Sequence, residues 1–337
     1  MKVAIISVSD KGQELAFDLK DKLDLDSTII MCDLYHKNVK KYFPILFHEY
    51  DAIIAIMASG ILIRSIAPLI ESKLTDPAVV NIDDNGRFAI STLSGHLGGA
   101  NKLTKKISNL INATPVITTS TDVNNKLGID VLARDLYLSI DNSKEILYFN
   151  KAILEGREIS LTVNPNKNFE YLFEYLNNTN MEINVSIYYS SKINTDEILV
   201  SVDEHKLILK EKKIVVGIGC RRGKECEKIR DGFMKSLDDL NIRQSRVNLL
   251  TSAEIKKDEK GILELSESLG IPVEFVEIDK LKLFESNDVS KSEFVYSKFG
   301  IYGVCEPSAL IMAGFESKLI YKKTSYDGVT ISVAVSR

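Results

Sequence analysis

Apolar residues arrive in short runs followed by amphipathic stretches, and that alternation governs the first third of the chain. Residues 3–8 (VAIISV) read as a buried strand, and 10–23 as a helix with an aspartate at its start. Further apolar runs of strand length lie at 28–31 and 52–57, with a short helix expected over 39–47 and helical spacing over 60–70. The runs 79–82 and 88–91 flank Asp83-Asp84-Asn85-Gly86, and the Asn-Gly step predicts a hairpin. A long helix is expected after Gly95, reaching about Leu110, followed by a strand at 114–117 that ends in the hydroxyl run Thr118, Thr119, Ser120, Thr121 and then Asp122.

The pattern changes over 124–211. This stretch is rich in Asn, Tyr and Lys, with helices expected at 143–154 and 169–176 and strands at 159–163, 183–188, 198–202 and 207–209. Glycine is scarce there, no polar cluster converges, and no chemistry is assigned to it. A new strand, Ile214-Val215-Val216-Gly217-Ile218-Gly219, then feeds a turn and a helix from Lys224 to about Leu240, and strand and helix signals alternate to the end. The expected fold class is α/β: two α/β domains with parallel or mixed sheets, at 1–123 and 212–337, flanking a smaller α+β middle region at 124–211. No fixed-period repeat is visible, which excludes a solenoid.

Length and charge narrow the class. A chain of 337 residues suits more than one core, and 45% apolar with 27% charged residues is ordinary for a globular protein. With 43 basic against 47 acidic residues the net charge is −4, so no global basic field is present and nucleic acid is not an expected partner. The longest apolar stretch, 52–70, is interrupted by Arg64 and Pro68, so no membrane span is expected. The start MKVAIISVSDKGQ lacks the apolar core and cleavage site of a signal peptide. Four cysteines form neither a CxxC pair nor a disulfide ladder. A cytoplasmic protein is expected.

The densest candidate site is Ser94-Gly95-His96-Leu97-Gly98-Gly99-Ala100-Asn101. Glycines at a helix start let backbone N–H groups approach an anion; equally, they make a tight turn and a close helix–strand contact. The spacing matches neither the P-loop nor the dinucleotide fingerprint. His96 has an ordinary pKa suited to proton transfer near neutrality, and no second histidine stands at metal-ligand spacing. Ser59-Gly60, with Arg64 one turn on, and the run Thr118, Thr119, Ser120, Thr121 and Asp122, four hydroxyls and a carboxylate, also follow strand ends. Convergence of all three elements is expected where strands of an open sheet end; the bland readings are a helix cap at Ser59 and a polar loop at 118–122. In the last domain Gly219, Cys220, Arg221 and Arg222 form a second glycine-rich turn whose guanidinium groups suit ligand carboxylates. An activated Cys220 thiolate is the weaker reading, since no histidine accompanies it. Gly303-Val304-Cys305-Glu306-Pro307 is expected to end a strand and open a helix, with Glu306 capping it or touching a ligand.

Taken in order, IMASGILIRSIAPLI, DPAVVNIDDNGRF, STLSGHLGGAN, TPVITTSTD, GIGCRRG and GVCEPSALIMAG resemble the cobalt-precorrin-5A hydrolase family of the anaerobic branch of cobalamin synthesis. The C-terminal motifs are also similar to a stand-alone cobalamin-biosynthesis protein of the aerobic branch. The resemblance implies a tetrapyrrole substrate carrying its own cobalt, with no cofactor and no metal held by the protein. The implied reaction opens the ring A δ-lactone and releases a two-carbon fragment as acetaldehyde, giving cobalt-precorrin-5B. Arg64, Arg221, Arg222 and the glycine-rich helix starts would then meet the acetate and propionate arms. His96 is the expected general base or axial ligand to the cobalt, with the N–H groups near Gly98 and Gly99 and either Ser59 or Thr119 stabilising negative charge. Other corrinoid-pathway enzymes are candidate partners, and the sequence does not set an oligomeric state. The alternative from another class is a non-catalytic corrinoid carrier, which would need no titrating histidine.

Overall fold

The computed structural model describes residues 1–337, apart from the side chain of Phe294. Its first part alternates β1 (Lys2–Ser7), α1 (Asp10–Asp24), β2 (Met31–His36), α2 (Val39–Glu49), β3 (Ala52–Ile56), α3 (Ser59–Ile66), β4 (Ala78–Ile82), β5 (Phe88–Leu93), α4 (Ala100–Ile111), β6 (Thr114–Val116) and α5 (Ser120–Val123). The strands form one sheet in the order β2-β1-β3-β4-β5-β6. The first four lie parallel, β5 turns back antiparallel to β4, and β6 runs parallel to β5. The central strands β3 and β4 are buried at every position, as strands covered on both faces must be. The hairpin written by Asn85-Gly86 is the β4–β5 connection, with Gly86 at φ +65°.

The middle part contains α6 (Ile129–Asp135), β7 (Leu138–Asp141), α7 (Ile146–Leu154), β8 (Ile159–Val163), α8 (Glu170–Asn178), β9 (Val185–Tyr189), β10 (Glu197–Val202) and β11 (His205–Glu211). Its sheet, β7-β11-β10-β8-β9, is mostly antiparallel with one parallel pair, β8–β9. Burial alternates along β8 and β10, so one face packs on a core built from Leu132, Phe149, Leu161, Phe169, Leu172 and Val200 among others. The elements α6 and β7 carry no clear periodic signal and were not expected.

The last part runs β12 (Ile214–Cys220), α9 (Cys226–Leu240), β13 (Leu249–Ala253), α10 (Lys260–Leu269), β14 (Val273–Val276), α11 (Ile278–Leu283), α12 (Glu293–Phe299), α13 (Cys305–Ala313), β15 (Lys318–Tyr326) and β16 (Val329–Val335). Its mixed sheet has the order β14-β13-β12-β16-β15. The protein is thus mixed α/β throughout, as the sequence pattern implied. Two elements differ from expectation. The apolar run 28–31 is not a strand; β2 begins at Met31 and carries the polar Asp33 and His36 because it is the edge of its sheet. Gly303 follows α12 and a loop, not a strand.

The chain divides into two compact units, Met1–Asp26 with Met31–Glu211, and Ser27–Ile30 with Lys212–Arg337. The first unit therefore holds both the β1–β6 sheet and the middle sheet. Within the second, Ser27 accepts a hydrogen bond from Thr324 (2.8 Å) and Ile30 packs with Val215, Leu249 and Leu310. Among the described residues no helix is long and apolar enough to cross a membrane.

Candidate functional site

The reversal at β5 decides which candidates meet. Ile56 at the end of β3 pairs with Ile82 at the end of β4, which pairs with Ala89 near the start of β5. The end of β5, Leu93, pairs with Val79 at the start of β4. Ser59 and Gly60 follow β3 and therefore leave the sheet at one edge, whereas residues 94–101 follow β5 at the other. The five residues of β4 separate the edges by roughly 13 Å. The expected convergence of Ser59, Gly60 and Arg64 with His96 does not occur. Ser59 donates to Asn81 Oδ1 (2.5 Å), and the side-chain nitrogens of Arg64 lie over Gly60. Because β6 is parallel to β5, Thr119 and Asp122 do arrive on the same edge as His96.

The turn itself is shaped by close approach. Gly99 takes φ +88°, a conformation that L side chains rarely adopt, and starts α4. A Cβ on Gly95 would stand 2.7 Å from Asn101 Oδ1, and one on Gly98 2.5 Å from Ser94 Cβ. The backbone donors are engaged internally: Gly99 N–H to His96 O (3.0 Å), Ala100 N–H to Ser94 O (3.1 Å) and Asn101 N–H to Gly95 O (3.1 Å). The open anion cradle expected at Gly98-Gly99 is therefore closed at Gly99 by the turn's own carbonyls. Ser94 sits at φ +55° with its hydroxyl buried.

What the turn presents is an imidazole between two carboxylates. His96 Nδ1 lies 3.0 and 3.1 Å from the two oxygens of Asp130, and Nε2 lies 3.2 Å from Asp122 Oδ2 and 3.0 Å from Thr121 Oγ1. The His96 and Asp122 side chains are each 12% exposed and that of Asp130 6%. Asn101 donates to Asp122 Oδ2 (2.9 Å) and to Thr119 Oγ1 (2.9 Å), while Ser91 donates to Asn101 Oδ1 (2.6 Å). Lys105 Nζ stands 3.8 Å from the other Asp122 oxygen. Thr118 is exposed.

Burial by itself pushes the His96 imidazole down, but hydrogen bonds to Asp122 and Asp130 and their charges outweigh it and raise its pKa to about 9. Both carboxyls are held below their ordinary range: burial opposes this, and the His96 bond and charge overcome it. At neutral pH the ring carries a proton on each nitrogen. The expected base or axial ligand is thus a cation with both nitrogens engaged, ready to give a proton rather than take one. Thr121 belongs to the hydroxyl run expected there, whereas Asp130 and Arg134, the latter donating to the His96 carbonyl (2.5 Å), were missed. Asp130 lies in the middle region to which no chemistry was assigned. The one sequence signal was the Asp130/Arg134 pair at i,i+4 spacing, and it does not point to a histidine 34 positions back.

The second glycine-rich turn is built otherwise. Gly219 pairs with Thr330 across β12 and β16, and a side chain on Gly219 would strike the Thr330 hydroxyl. Burial lifts the Cys220 thiol above its ordinary pKa, so it is not an activated thiolate. Arg221 is exposed; Arg222, 62% exposed, donates to Asp258 (2.8 Å). The Gly223 N–H donates to the buried Glu259 carboxylate (2.6 Å), which fills the position a ligand anion would take beside the start of α9. Glu306 is 1% exposed and accepts from the backbone of Ser290 (2.7 Å) and Lys323 (2.8 Å). It ties the loop at Ser290 to strand β15 and is not presented to a ligand. Among the described residues no group of three or more His, Cys, Asp or Glu is arranged to hold a metal ion.

The family described as "Cobalamin synthesis G N-terminal" matches residues 41–122, and "Cobalamin synthesis G C-terminus" matches 214–334. A cobalt-precorrin-5A hydrolase of Priestia megaterium is 31% identical over 98% of this chain and 94% of its own length. The chain belongs to the cobalt-precorrin-5A hydrolase family. A probable cobalt-precorrin-5A hydrolase of Methanocaldococcus jannaschii is 36% identical over 99% of both chains. The crystal structure of a putative cobalamin biosynthesis protein G homolog from Sulfolobus solfataricus is 28% identical, covers 100% of this chain and 97% of its own, and superposes with a TM-score of 0.62. Membership in the cobalt-precorrin-5A hydrolase family extends through the middle region, since the matches to both hydrolases span it.

Proposed function

We propose that this chain hydrolyses cobalt-precorrin-5A in the cytoplasm, opening the ring A δ-lactone and releasing the two-carbon fragment as acetaldehyde to give cobalt-precorrin-5B. Cobalt travels with the tetrapyrrole substrate, and the protein supplies no cofactor. Near-full-length likeness to two hydrolases supports the reaction, and the carrying structural observation is His96, held in the turn before α4 between the carboxylates of Asp122 and Asp130.

In this reading water adds to the lactone carbonyl carbon and the bond from that carbon to the ring oxygen breaks. The departing alkoxide takes the Nε2 proton of His96, on the end of the ring that faces Thr121 and the less buried of the two carboxylates, Asp122. The proton lost by the attacking water returns to His96 as the carboxylic acid forms. The Thr119 hydroxyl, which accepts from Asn101, still has its own hydrogen to give to a developing oxyanion. Lys105, 61% exposed, supplies positive charge for a substrate carboxylate. In the later step the hydroxyl freed by lactone opening loses its proton to water, its carbon–oxygen bond becomes the acetaldehyde carbonyl as the adjoining carbon–carbon bond breaks, and the conjugated macrocycle takes up the electron pair of that broken bond. Purified protein given cobalt-precorrin-5A should release acetaldehyde stoichiometrically, and His96→Asn should slow the release by at least about 10²-fold. Tight binding with no acetaldehyde would make the protein a carrier.

A further inference from the structure

The ring of His96 has two ends, and the structure treats them unequally. Asp130 grips Nδ1 with both oxygens and is itself 4% exposed. It is fixed in turn by Asn150 of α7, which donates to Asp130 Oδ1 (3.0 Å) and accepts from the Ile129 N–H (2.9 Å), and by the Val131 N–H (3.2 Å). One turn along α6, Arg134 binds the His96 carbonyl and is anchored by Asp135, which also accepts from Tyr175 (2.9 Å). Leu97 packs against the middle core. Gly128 completes the seat, because a Cβ there would stand 2.9 Å from Asp130 Oδ1. The Nε2 end meets a hydroxyl and the more exposed Asp122.

We propose that Asp130 is a positioning residue that keeps a proton on Nδ1 of His96 and so leaves Nε2 as the one end of the ring that exchanges protons with substrate. For its substrate this rests on the hydrolase reading; for the ring it stands on the geometry alone. A carboxylate with both oxygens turned toward Nδ1 makes departure of that proton costly, since the buried charge would lose its charged donor and keep only the neutral ones, Asn150 and the Val131 N–H. The charged groups around the ring are Asp122 from α5 with Lys105 from α4 beside it, and Asp130 and Arg134 from α6 with Asp135 and Lys102 behind them. Of these, Asp130 alone is bonded to Nδ1.

The test is nitrogen-15 NMR of the full chain with labelled histidine, the His96 signals being assigned by their loss in His96→Gln. Above the His96 midpoint the neutral ring of the wild type should carry its proton on Nδ1, opposite to the usual preference of free histidine for Nε2. In Asp130→Asn the proton should move to Nε2, the midpoint should fall toward the ordinary histidine range, and the alkaline limb of the kcat profile should move with it. With cobalt-precorrin-5A, kcat should drop about 10²-fold with little change in KM, and Asp130→Glu should recover part of it. A wild-type neutral ring protonated at Nε2 would overturn the proposal, as would an Asp130→Asn variant with unchanged tautomer and alkaline limb. The wild-type measurement needs no variant to fold. An Nδ1-protonated ring in a protein that releases no acetaldehyde would uphold this assignment and sink the hydrolase reading instead.

Discussion

The turns at 94–101 and 217–223 share their lettering: glycines at a strand end, a polar or basic cluster, and a helix behind. In the first, Asp122 from α5 and Asp130 from α6 close on His96 and hold its ring between a partly buried and a buried carboxylate. In the second, Arg222 pairs with Asp258 in solvent, and Glu259 satisfies the Gly223 N–H before any ligand arrives. The glycines do similar work in both, admitting a neighbour at short range: Asn101 against Gly95, the Cys305 carbonyl against Gly217. Glycine at these turns therefore reports close packing. Chemistry comes from what distant segments deliver to the turn.

If that contrast is right, the largest effect belongs to the imidazole. His96→Asn should lower turnover of cobalt-precorrin-5A by about 10²- to 10⁴-fold, measured as acetaldehyde released, with the fold intact by circular dichroism. A fall under tenfold would erase the distinction between the turns.

Next is the pH dependence of stability. The raised His96 pKa contributes stabilisation that is fully present below the unfolded value of 6.5 and is lost as pH rises through about 9. The lowered Asp122 and Asp130 pKa values contribute in the other direction, fully above their ordinary 3.8 and lost as pH falls through their folded values. Between pH 6.5 and 9 denaturant melts should show a decline on the order of 3 kcal/mol, because a tenfold change in proton affinity is worth about 1.4 kcal/mol. The decline should flatten in His96→Gln.

Gly217→Ala tests the packing role of the second turn. Its methyl would meet the Cys305 backbone carbonyl, which cannot swing aside as a side chain can. A loss of about 1–3 kcal/mol is expected in denaturant melts, whereas a substitution that leaves the midpoint in place would show that the close approach is relaxed at no cost. Smallest of all is Arg222→Ala. Because its ion pair with Asp258 is solvated, the unfolding midpoint should not move. KM for the substrate should rise by no more than about threefold, the size of one screened surface contact. A larger rise would make this turn a principal anchor for substrate carboxylates.

The order of strands and helices was written in the apolar spacing of residues 3–117 and 159–240, and the Asn85-Gly86 hairpin in two letters. Local backbone preference and burial period operate over a few residues, so they survive in a linear reading. His96, Thr119, Asn101 and Asp122 were likewise visible as polar groups following strands β5 and β6. Three things were not. That Ser59 and Arg64 fall on the opposite edge depends on the direction of β5 in the sheet. That Asp130 joins His96 depends on packing between residues 34 apart, and it reverses the proton state that the histidine would have had alone. That Glu259 and Glu306 face inward depends on which loops they secure. A sequence fixes which groups are available, but the sign of a charge and the reach of a side chain are set by low-dielectric surroundings that exist only once distant segments have met.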